Sequence, residues 1–313
     1  MDSDSDRPPS ENRRDDFAAM DTALAIGAQA RATGPLDAQY ANTYFTRARA
    51  IAFENMLANP SVSIVRLFVL LSFFTLGACR QIPASIYLGI ASKAAVVLGL
   101  HQPMSRKVMH QGNDYRLRLR IWHSLCILDV LTSSLLGRPC TVPRATRHKI
   151  QSLPLDADQS AFNAMLKGAA ILDDICRVLN RGVIINVSAA QDLLASLRQW
   201  CRDLPTGLRR FASTDTSSAL SYSEQQALVG SIHVSSIYYF AVILVTRPFL
   251  IQDLMSRIRQ RSGLRSQASV GPGETTLAQV CITSAVYMGQ LCRDISSMLS
   301  ISGLTLGTLS LFK

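Results

Sequence analysis

The sequence lacks the cysteine spacing of a zinc site or of a disulfide framework. Its cysteines are seven in number, lie far apart and include no Cys-x2-Cys pair. Isolated cysteines among apolar residues usually behave as small buried hydrophobes, so we expect free thiols in a reducing compartment. They are Cys79, Cys126, Cys140, Cys176, Cys201, Cys281 and Cys292.

Common catalytic motifs are also missing. The five histidines form no His-x3-His or His-Glu-x2-His pair, and no Gly-x-Ser-x-Gly is present. The segment Gly271-Pro272-Gly273 lacks the lysine of a phosphate-binding loop. These absences exclude the usual zinc hydrolases, α/β-hydrolases and P-loop proteins. We therefore expect that the chain is not an enzyme and binds no cofactor.

The sequence also lacks a secretory leader and an uninterrupted apolar run long enough to span a membrane. The first residues carry Asp2, Asp4 and Asp6 rather than a basic start and an apolar stretch, so no export is expected. Three charge-poor stretches, 67–79, 225–246 and 295–312, raise the question of a membrane. The first is too short to span, and the others contain many Ser, Thr, Gln or Gly residues. We interpret all three as buried helices and expect no membrane partner.

Acidic residues are outnumbered, 22 against 32 basic ones, which gives a formal charge of +10. This balance permits attraction to nucleic acid but says nothing about the fold. No aromatic residues alternate with the basic ones, so we interpret the basic clusters as solvated faces, and the last also as a candidate nuclear-import segment. The clusters are Arg116, Arg118 and Arg120; Arg144, Arg147, His148 and Lys149; and Arg257, Arg259, Arg261 and Arg265.

Helical periodicity dominates what is present. Apolar residues return every three or four positions with almost no strict alternation, which predicts an all-α fold of antiparallel helical hairpins. Residues 1–16 have the composition of a disordered tail, and 17–313 form the predicted domain, with linkers near 205–223 and 257–273. Predicted helices cover about 40–57, the stretch up to 79, 83–99, 116–139, 161–179, 188–204, 224–247 and 277–299.

In the helix predicted over 83–99, Ile86, Ile90, Ala94 and Val97 line one side. Gly99 can adopt the left-handed conformation that ends a helix. Short connections join this helix to the preceding ones, which favours an antiparallel arrangement of neighbouring helices.

The helix predicted over 116–139 has the clearest signals. Its inward stripe is widened by Trp122, Gly137 can take a left-handed cap, and Pro139 cannot continue the helix. An aspartate near such a stripe is costly unless paired, and Arg138 stands at the helix end, so we hypothesise that Asp129 pairs with Arg138. The alternative is that Asp129 faces solvent. The stripe consists of Leu117, Ile121, Leu125, Leu128, Thr132 and Leu135.

The pair Asp173-Asp174 on a predicted helix resembles the metal-binding aspartates of class I terpene cyclases. Those enzymes need a further carboxylate one turn onward, whereas Arg177 and Val178 occupy that place here. We interpret the pair as solvated acids, and keep a helical prenyl-diphosphate enzyme as the remotest alternative.

Four stretches together resemble the fungal-specific transcription factor domain, the middle homology region of fungal zinc-cluster transcription factors. They are ANTYFTRARAI at 41–51, IYLGIASKAAVVLGLH at 86–101, RLRLRIWHSLCILDVLTSSLLGRPC at 116–140 and IYYFAVILVTRPFL at 237–250, and the resemblance runs over about 40–300. The signature residues are Arg118, Arg120, Trp122, Leu128, Asp129, Gly137, Arg138, Pro139, Arg247 and Pro248.

The resemblance implies a nuclear regulator of transcription whose helical domain tunes activity through a small-molecule effector or through contacts with other regulators. In that family a separate six-cysteine module starting Cys-x2-Cys-x6-Cys holds two zinc ions and reads DNA. This chain has no such run, so zinc and direct DNA binding do not carry over. Arg147-His148-Lys149 also stands where acidic residues are common in the family.

Two main functions remain open at this point. The first is a regulator of a fungal nutrient or secondary-metabolite pathway that reaches DNA through a zinc cluster encoded upstream, or acts without DNA contact by pairing with other regulators. The second is an interaction or ligand-binding module, a co-regulator or competitor that does not bind DNA.

Overall fold

The chain is helical throughout the part that the structure describes. A computed structural model describes residues 9–31, 34–56, 60–102, 113–147, 160–180, 185–209, 222–262 and 271–302, and no strand occurs within these ranges. The predicted all-α class is therefore confirmed. In chain order the helices are α1 (Pro9–Arg31), α2 (Pro35–Asn55), α3 (Val62–Gly77), α4 (Gln81–Val97), α5 (Asn113–Leu136), α6 (Arg144–Arg147), α7 (Ser160–Leu179), α8 (Val187–Asp203), α9 (Thr206–Arg209), α10 (Tyr222–Arg261) and α11 (Pro272–Ser302).

The helices divide into two compact units. One comprises residues 1–159 with 299–313, and the other comprises residues 160–298. Helices α1 to α6 belong to the first unit, whereas α7 to α10 and most of α11 belong to the second. The single domain predicted over 17–313 stays a prediction, because a family's domain need not coincide with one compact unit.

In the first unit, α1 and α2 pack antiparallel. Three ion pairs between the two helices show this direction. Residues near the end of α1 pair with residues near the start of α2, and residues near the start of α1 pair with residues near the end of α2. The pairs are Arg31 with Asp37, Arg47 with Asp21, and Arg14 with Glu54. The arrangement of the other helices as hairpins stays a prediction.

Helix α3 forms the centre of the first unit. It contacts α1, α2, α4 and α5, and its residues are apolar on nearly every side because neighbours surround it. Its start is capped by Ser61, whose side chain accepts the backbone N–H of Ile64 at 3.1 Å. The surrounding core includes Phe45, Ala48, Phe68, Leu71, Leu88, Ala91, Trp122 and Leu125.

In the second unit, α10 is the long central helix and contacts α7, α8 and α9. The close approach of α7 and α8 depends on Gly168, which leaves room for the indole of Trp200. The buried side chains here include Phe162, Met165, Leu172, Ile175, Leu194, Leu197, Ile237, Ala241 and Val245.

The tail predicted for residues 1–16 is wrong from Pro9 onward, since α1 begins there. The buried face of α1 consists mostly of small or polar residues; Asp15, Ala18, Thr22 and Ala25 are fully buried, and Ile26 is its one large apolar member. A search for large apolar residues therefore misses this helix, although its face is well packed.

The helix predicted to end at Arg247 instead passes through Pro248 and reaches Arg261. A proline inside a helix removes one hydrogen bond and costs about 3 kcal/mol, but Val245 and Phe249 on either side are buried and offset that cost. The linker predicted at 257–273 is accordingly helical at both ends, and 263–270 lie outside the described residues. In the other predicted linker, 206–209 form α9 and 210–221 lie outside them.

The apolar side identified in the sequence of α4 coincides only in part with its buried side. Ile90 and Ala94 are half-buried against the core, whereas Ile86 and Val97 are exposed. The fully buried side is formed by Tyr87 and Leu88 together with small residues such as Ala91. Gly99 does end the helix as predicted: its φ is +69°, and the Leu100 N–H donates to the carbonyl of Ala95 at 2.9 Å.

By length and composition alone, two of the described helices could cross a membrane. They lie within Asp114–Leu136 and Ala227–Arg261, and 67% and 50% of their most apolar windows are buried inside the protein. Core helices of proteins that never enter a membrane pass the same test. The stretch 303–312, which belongs to the third charge-poor run, lies outside the described residues.

Candidate functional site

The candidate site lies at the C-terminal end of α5, where a buried aspartate meets the chain after the helix. The apolar stripe predicted for α5 is correct in its middle part, since Ile121, Leu125, Leu128 and Thr132 are buried. At its ends Leu117 is half-buried and Leu135 is exposed. Trp122, only 2% exposed, widens the stripe as predicted. Helical spacing then places Asp129, one turn after Leu125, at the edge of this inward face.

The end of α5 follows the predicted stop. Gly137 has a φ of +63°, and the Arg138 N–H donates to the carbonyl of Ser133 at 3.0 Å. This bond is the six-residue closure of a Schellman cap, which requires a left-handed residue at the glycine position. Pro139 follows and has no N–H with which to continue the helix. The chain therefore turns back toward α5.

Asp129 holds the returning segment. One carboxylate oxygen, Oδ1, accepts the backbone N–H of Thr141 at 3.0 Å, and Oδ2 accepts that of Val142 at 2.8 Å. The hydroxyl of Ser133 donates to Oδ1 at 3.5 Å. Two backbone donors of a non-helical segment are thus satisfied by one side chain. We call residues 137–142, together with Asp129, the Asp129 turn.

The charge of Asp129 is compensated inside the protein. Burial raises the pKa of this carboxyl, whereas the hydrogen bonds from Val142 and Thr141 and the charge of Arg147 lower it. A guanidinium nitrogen of Arg147, on α6, lies 3.9 Å from Oδ2, and both side chains are almost fully buried. The ion pair and the backbone bonds therefore stabilise the same acid.

The predicted partner of Asp129 is wrong, and so is the alternative. Arg138 is exposed, because the left-handed cap at Gly137 directs the chain away before Arg138 can turn inward. Asp129 does not face solvent either, being 1% exposed. Its cation is Arg147, which the sequence placed in a cluster interpreted as solvated. His148 and Lys149 of that cluster lie outside the described residues.

Other signature residues have structural roles on α5 and α10. Arg118 donates to the carbonyl of Leu98 at 3.1 Å, which satisfies an acceptor at the C-terminal end of α4. Arg120 is half-buried on the same helix as Arg118. On α10, Arg247 is exposed and Pro248 is half-buried. The structure thus brings Asp129 and Gly137 into one turn, and leaves Arg138 and Arg247 in contact with solvent.

Two titratable side chains on α5 lie deep in the core beside this turn. Burial lowers the pKa of His123 to about 4, and it raises the pKa of the Cys126 thiol. A neutral imidazole and a protonated thiol are poor candidates for a proton carrier or a nucleophile at neutral pH. The residues of this site therefore hold the turn against the helix through hydrogen bonds and an ion pair.

The acidic pair on α7 shows the geometry of a surface ion pair. Asp174 accepts a hydrogen bond from Arg177 at 2.8 Å, and both side chains are almost half exposed. Arg177 occupies the place where a diphosphate site would need another carboxylate. In the last basic cluster Arg257, Arg259 and Arg261 are exposed as expected, and Arg265 lies outside the described residues.

Comparison with protein-family models identifies the family of this chain. The fungal specific transcription factor domain matches residues 7–181, which is more than half of the 313-residue chain and contains the Asp129 turn. The chain belongs to this family. Three of the four resembling stretches lie inside the match, and the fourth, at 237–250, lies beyond it.

Curated relatives are fungal regulators of transcription. Filamentous growth regulator 27 of Candida albicans is 24% identical over 57% of this chain and 24% of its own length. Transcription factor FBD3 of Gibberella moniliformis is 22% identical over 73% of this chain and 32% of its own. Thiamine repressible genes regulatory protein thi1 of Schizosaccharomyces pombe is 25% identical over 69% and 28%. The chain thus spans about a quarter to a third of these relatives. No solved structure matches it.

The zinc cluster that the family implies does not fit the residues present. Across the described ranges no three His, Cys, Asp or Glu side chains come together. Cys126 and Cys281 are buried, and burial disfavours the thiolate form that binds zinc.

Proposed function

We propose that this chain is the helical regulatory domain of a fungal transcription regulator that acts in the nucleus on genes of a nutrient or secondary-metabolite pathway. The observation that carries the proposal is the family match over residues 7–181, a segment in which the signature residues Asp129 and Gly137 form the Asp129 turn. The name of the relative thi1 refers to thiamine-repressible genes, and thiamine is a nutrient, which supports a nutrient pathway.

The proposed partners are other transcription regulators or a small-molecule effector. DNA would be reached through such a regulator or through a zinc-cluster module, since this chain carries no six-cysteine run. The large apolar core and the structural roles of Arg118 and Asp129 support a domain that transmits regulation through its own fold rather than through catalysis.

A tethering experiment tests the proposal. The full chain, fused to an unrelated DNA-binding domain, is expected to change the output of a reporter gene, and a fluorescent fusion is expected in the nucleus. Asp129→Ala should weaken the effect by unfastening the turn, whereas Arg138→Ala, at an exposed position, should not. Unchanged reporter output from a stable, nuclear fusion would contradict a regulatory role.

Three further measurements separate the versions of the proposal. An in-frame Cys-x2-Cys-x6-Cys segment upstream in genomic DNA would defeat the version in which the chain acts without its own DNA module. Deletion of the gene should change transcripts of one nutrient or secondary-metabolite pathway. A pull-down with the full chain that recovers no transcription factor would favour a general interaction module instead.

A further inference from the structure

The C-terminal part of α10 carries an apolar stripe that nothing in the described chain covers. Ile251, Leu254, Met255 and Ile258 are between 44% and 56% exposed. Their spacing of three, four and seven residues places all four on one side of the helix. Two helical turns of aliphatic surface, about 10 Å long, are therefore open to solvent.

The opposite face of the same segment is buried and largely polar. Phe249, Asp253 and Ser256 are each less than 9% exposed, and they lie on the side away from the stripe. A surface helix normally buries its apolar side and exposes its polar side. This segment does the reverse, which is the distribution expected of a helix that contacts a second apolar surface.

Arginines border the stripe on both edges. Arg259 lies beside Met255 on one edge, and Arg261 lies beside Leu254 on the other, with Arg247 one turn before the stripe; all three are exposed. The single acid between residues 247 and 261 is Asp253, which is buried and paired with Arg257 at 2.9 Å. Glu274 of α11 accepts a hydrogen bond from Gln252 at 3.4 Å, near the edge that carries Arg259. Three exposed arginines against this one acid leave the face with a net positive charge.

We propose that this face of α10 binds an amphipathic helix with acidic flanks that belongs to a partner protein. The aliphatic residues of such a helix would cover the stripe, and its carboxylates would meet the arginines on either edge, where guanidinium groups form bidentate hydrogen bonds. The proposal rests on the proposed function only in that the chain acts through protein partners, and it names the class of partner.

Charge argues against a second copy of the chain as the occupant, and the size and composition of the stripe argue against a membrane. A second copy of the chain would place the arginine borders of one stripe against those of the other, and like charges at such edges oppose pairing. An anionic membrane would accept the arginines, but the stripe is only two turns long and has no aromatic residue to anchor in the headgroup region. A helix with Asp and Glu along its edges matches both the stripe and its borders.

Binding of designed peptides to the full chain tests the proposal. The probe is a short helical peptide with Leu at positions one, four and eight and Glu on both flanks, and the comparison peptide has Lys in place of each Glu. We expect anisotropy titrations to show binding of the acidic peptide that weakens with salt, and no binding of the basic one. Equal binding of both peptides would overturn the assignment of an acidic partner.

Variants locate the binding face. Ile251→Ser with Ile258→Ser should weaken binding of the acidic peptide by about tenfold or more. The matched control is Ile82→Ser with Ile86→Ser on α4, two isoleucines that are 57% and 58% exposed, and it should leave binding unchanged. Arg259→Glu with Arg261→Glu should exchange the preference, so that the basic peptide binds better. Peptide binding unaffected by the α10 variants overturns the proposal.

Two more outcomes would replace the partner. If sedimentation shows a dimer that Ile251→Ser with Ile258→Ser abolishes, and no acidic peptide binds, the face is an interface between copies. If the chain binds phosphatidylserine vesicles through the same residues and binds no peptide, the face is a membrane surface. The reporter effect of the tethered chain is measured separately, so loss of peptide binding with the reporter effect retained contradicts this inference but not the proposed function.

Discussion

The Oδ2 atom of Asp129 accepts the backbone N–H of Val142 at 2.8 Å, across the turn that follows α5. The neighbouring N–H of Thr141 is bound by Oδ1 of the same carboxylate at 3.0 Å. A side chain in the middle of a family signature thus holds the backbone beyond that signature. The Leu-Gly-Arg-Pro stop and the aspartate nine residues before Arg138 are parts of one structural device.

Removing this acid should destabilise the first unit. Asp129→Ala leaves two backbone donors without their acceptor and Arg147 without its carboxylate, and each unpaired buried donor costs about 1–3 kcal/mol. We expect a loss of about 2–4 kcal/mol in the free energy of unfolding. Asp129→Asn keeps one acceptor oxygen and should lose less.

The measurement follows one unit at a time. The chain has two tryptophans, Trp122 in the first unit and Trp200 in the second, so urea denaturation in a Trp200→Phe background reports the first unit alone. Arg138→Ala is the control at an exposed position of the same unit and should stay within about 0.5 kcal/mol of the parent. If Asp129→Ala behaves like this control, the turn is held by other contacts.

The sequence predicted that Asp129, if buried, must have a partner, but it did not identify that partner. The cost of an isolated carboxylate beside an apolar stripe is readable from helical spacing. Which donors satisfy it depends on where the chain goes after Gly137, and a left-handed cap fixes that direction only in three dimensions. Arg147 was therefore assigned to a solvated cluster. The backbone N–H groups of Thr141 and Val142 could not be predicted as donors, because a sequence pattern describes side chains only.

The helices were predictable where large apolar residues mark the buried face, as in α5. They were missed in α1, whose buried face is mostly small or polar, as at Asp15, Ala18, Thr22 and Ala25. In α4 two of the four apolar residues identified in the sequence, Ile86 and Val97, are exposed, because Tyr87, Leu88 and alanines form the buried side. Pro248 was interpreted as the end of the helix because a proline removes one helical hydrogen bond. The burial of Val245 and Phe249 offsets that cost, and the helix continues. Tertiary packing decided each of these cases.

Two left-handed positions at helix ends should respond oppositely to substitution. Gly137 has a φ of +63°, so Gly137→Ala should cost about 1 kcal/mol. Cys79 follows the cap of α3 with a φ of +56°, a conformation that a non-glycine residue adopts at a cost, so Cys79→Gly should stabilise the first unit by about 0.5–1 kcal/mol. Urea denaturation in the Trp200→Phe background measures both; a destabilising Cys79→Gly would show that the thiol makes a compensating contact.

Two helical glycines should also differ in sign. A Cβ at Gly168 would lie 2.6 Å from the indole of Trp200, so Gly168→Ala should destabilise the second unit by about 1–3 kcal/mol. A Cβ at Gly89 on α4 would meet nothing within 4 Å, so Gly89→Ala should stabilise the first unit by about 0.5–1 kcal/mol through helix propensity. Trp200 fluorescence in a Trp122→Phe background reports the second unit. Equal effects of the two substitutions would contradict the packing at Gly168.

The stability of the first unit should fall in mild acid because of His123. Its pKa is about 4 in the folded protein against about 6.5 when unfolded, so between these values the unfolded chain binds the extra proton. The contribution is fully present above about pH 6.5 and is lost as the pH falls toward 4, by about 2 kcal/mol between about pH 7 and about pH 5. Asp129, whose pKa is raised, acts in the opposite sense, and it is present in both proteins of the comparison. His123→Gln removes only the histidine's share, so urea denaturation across this range should show a shallower loss in the variant; parallel curves would mean that His123 is not held in its neutral form.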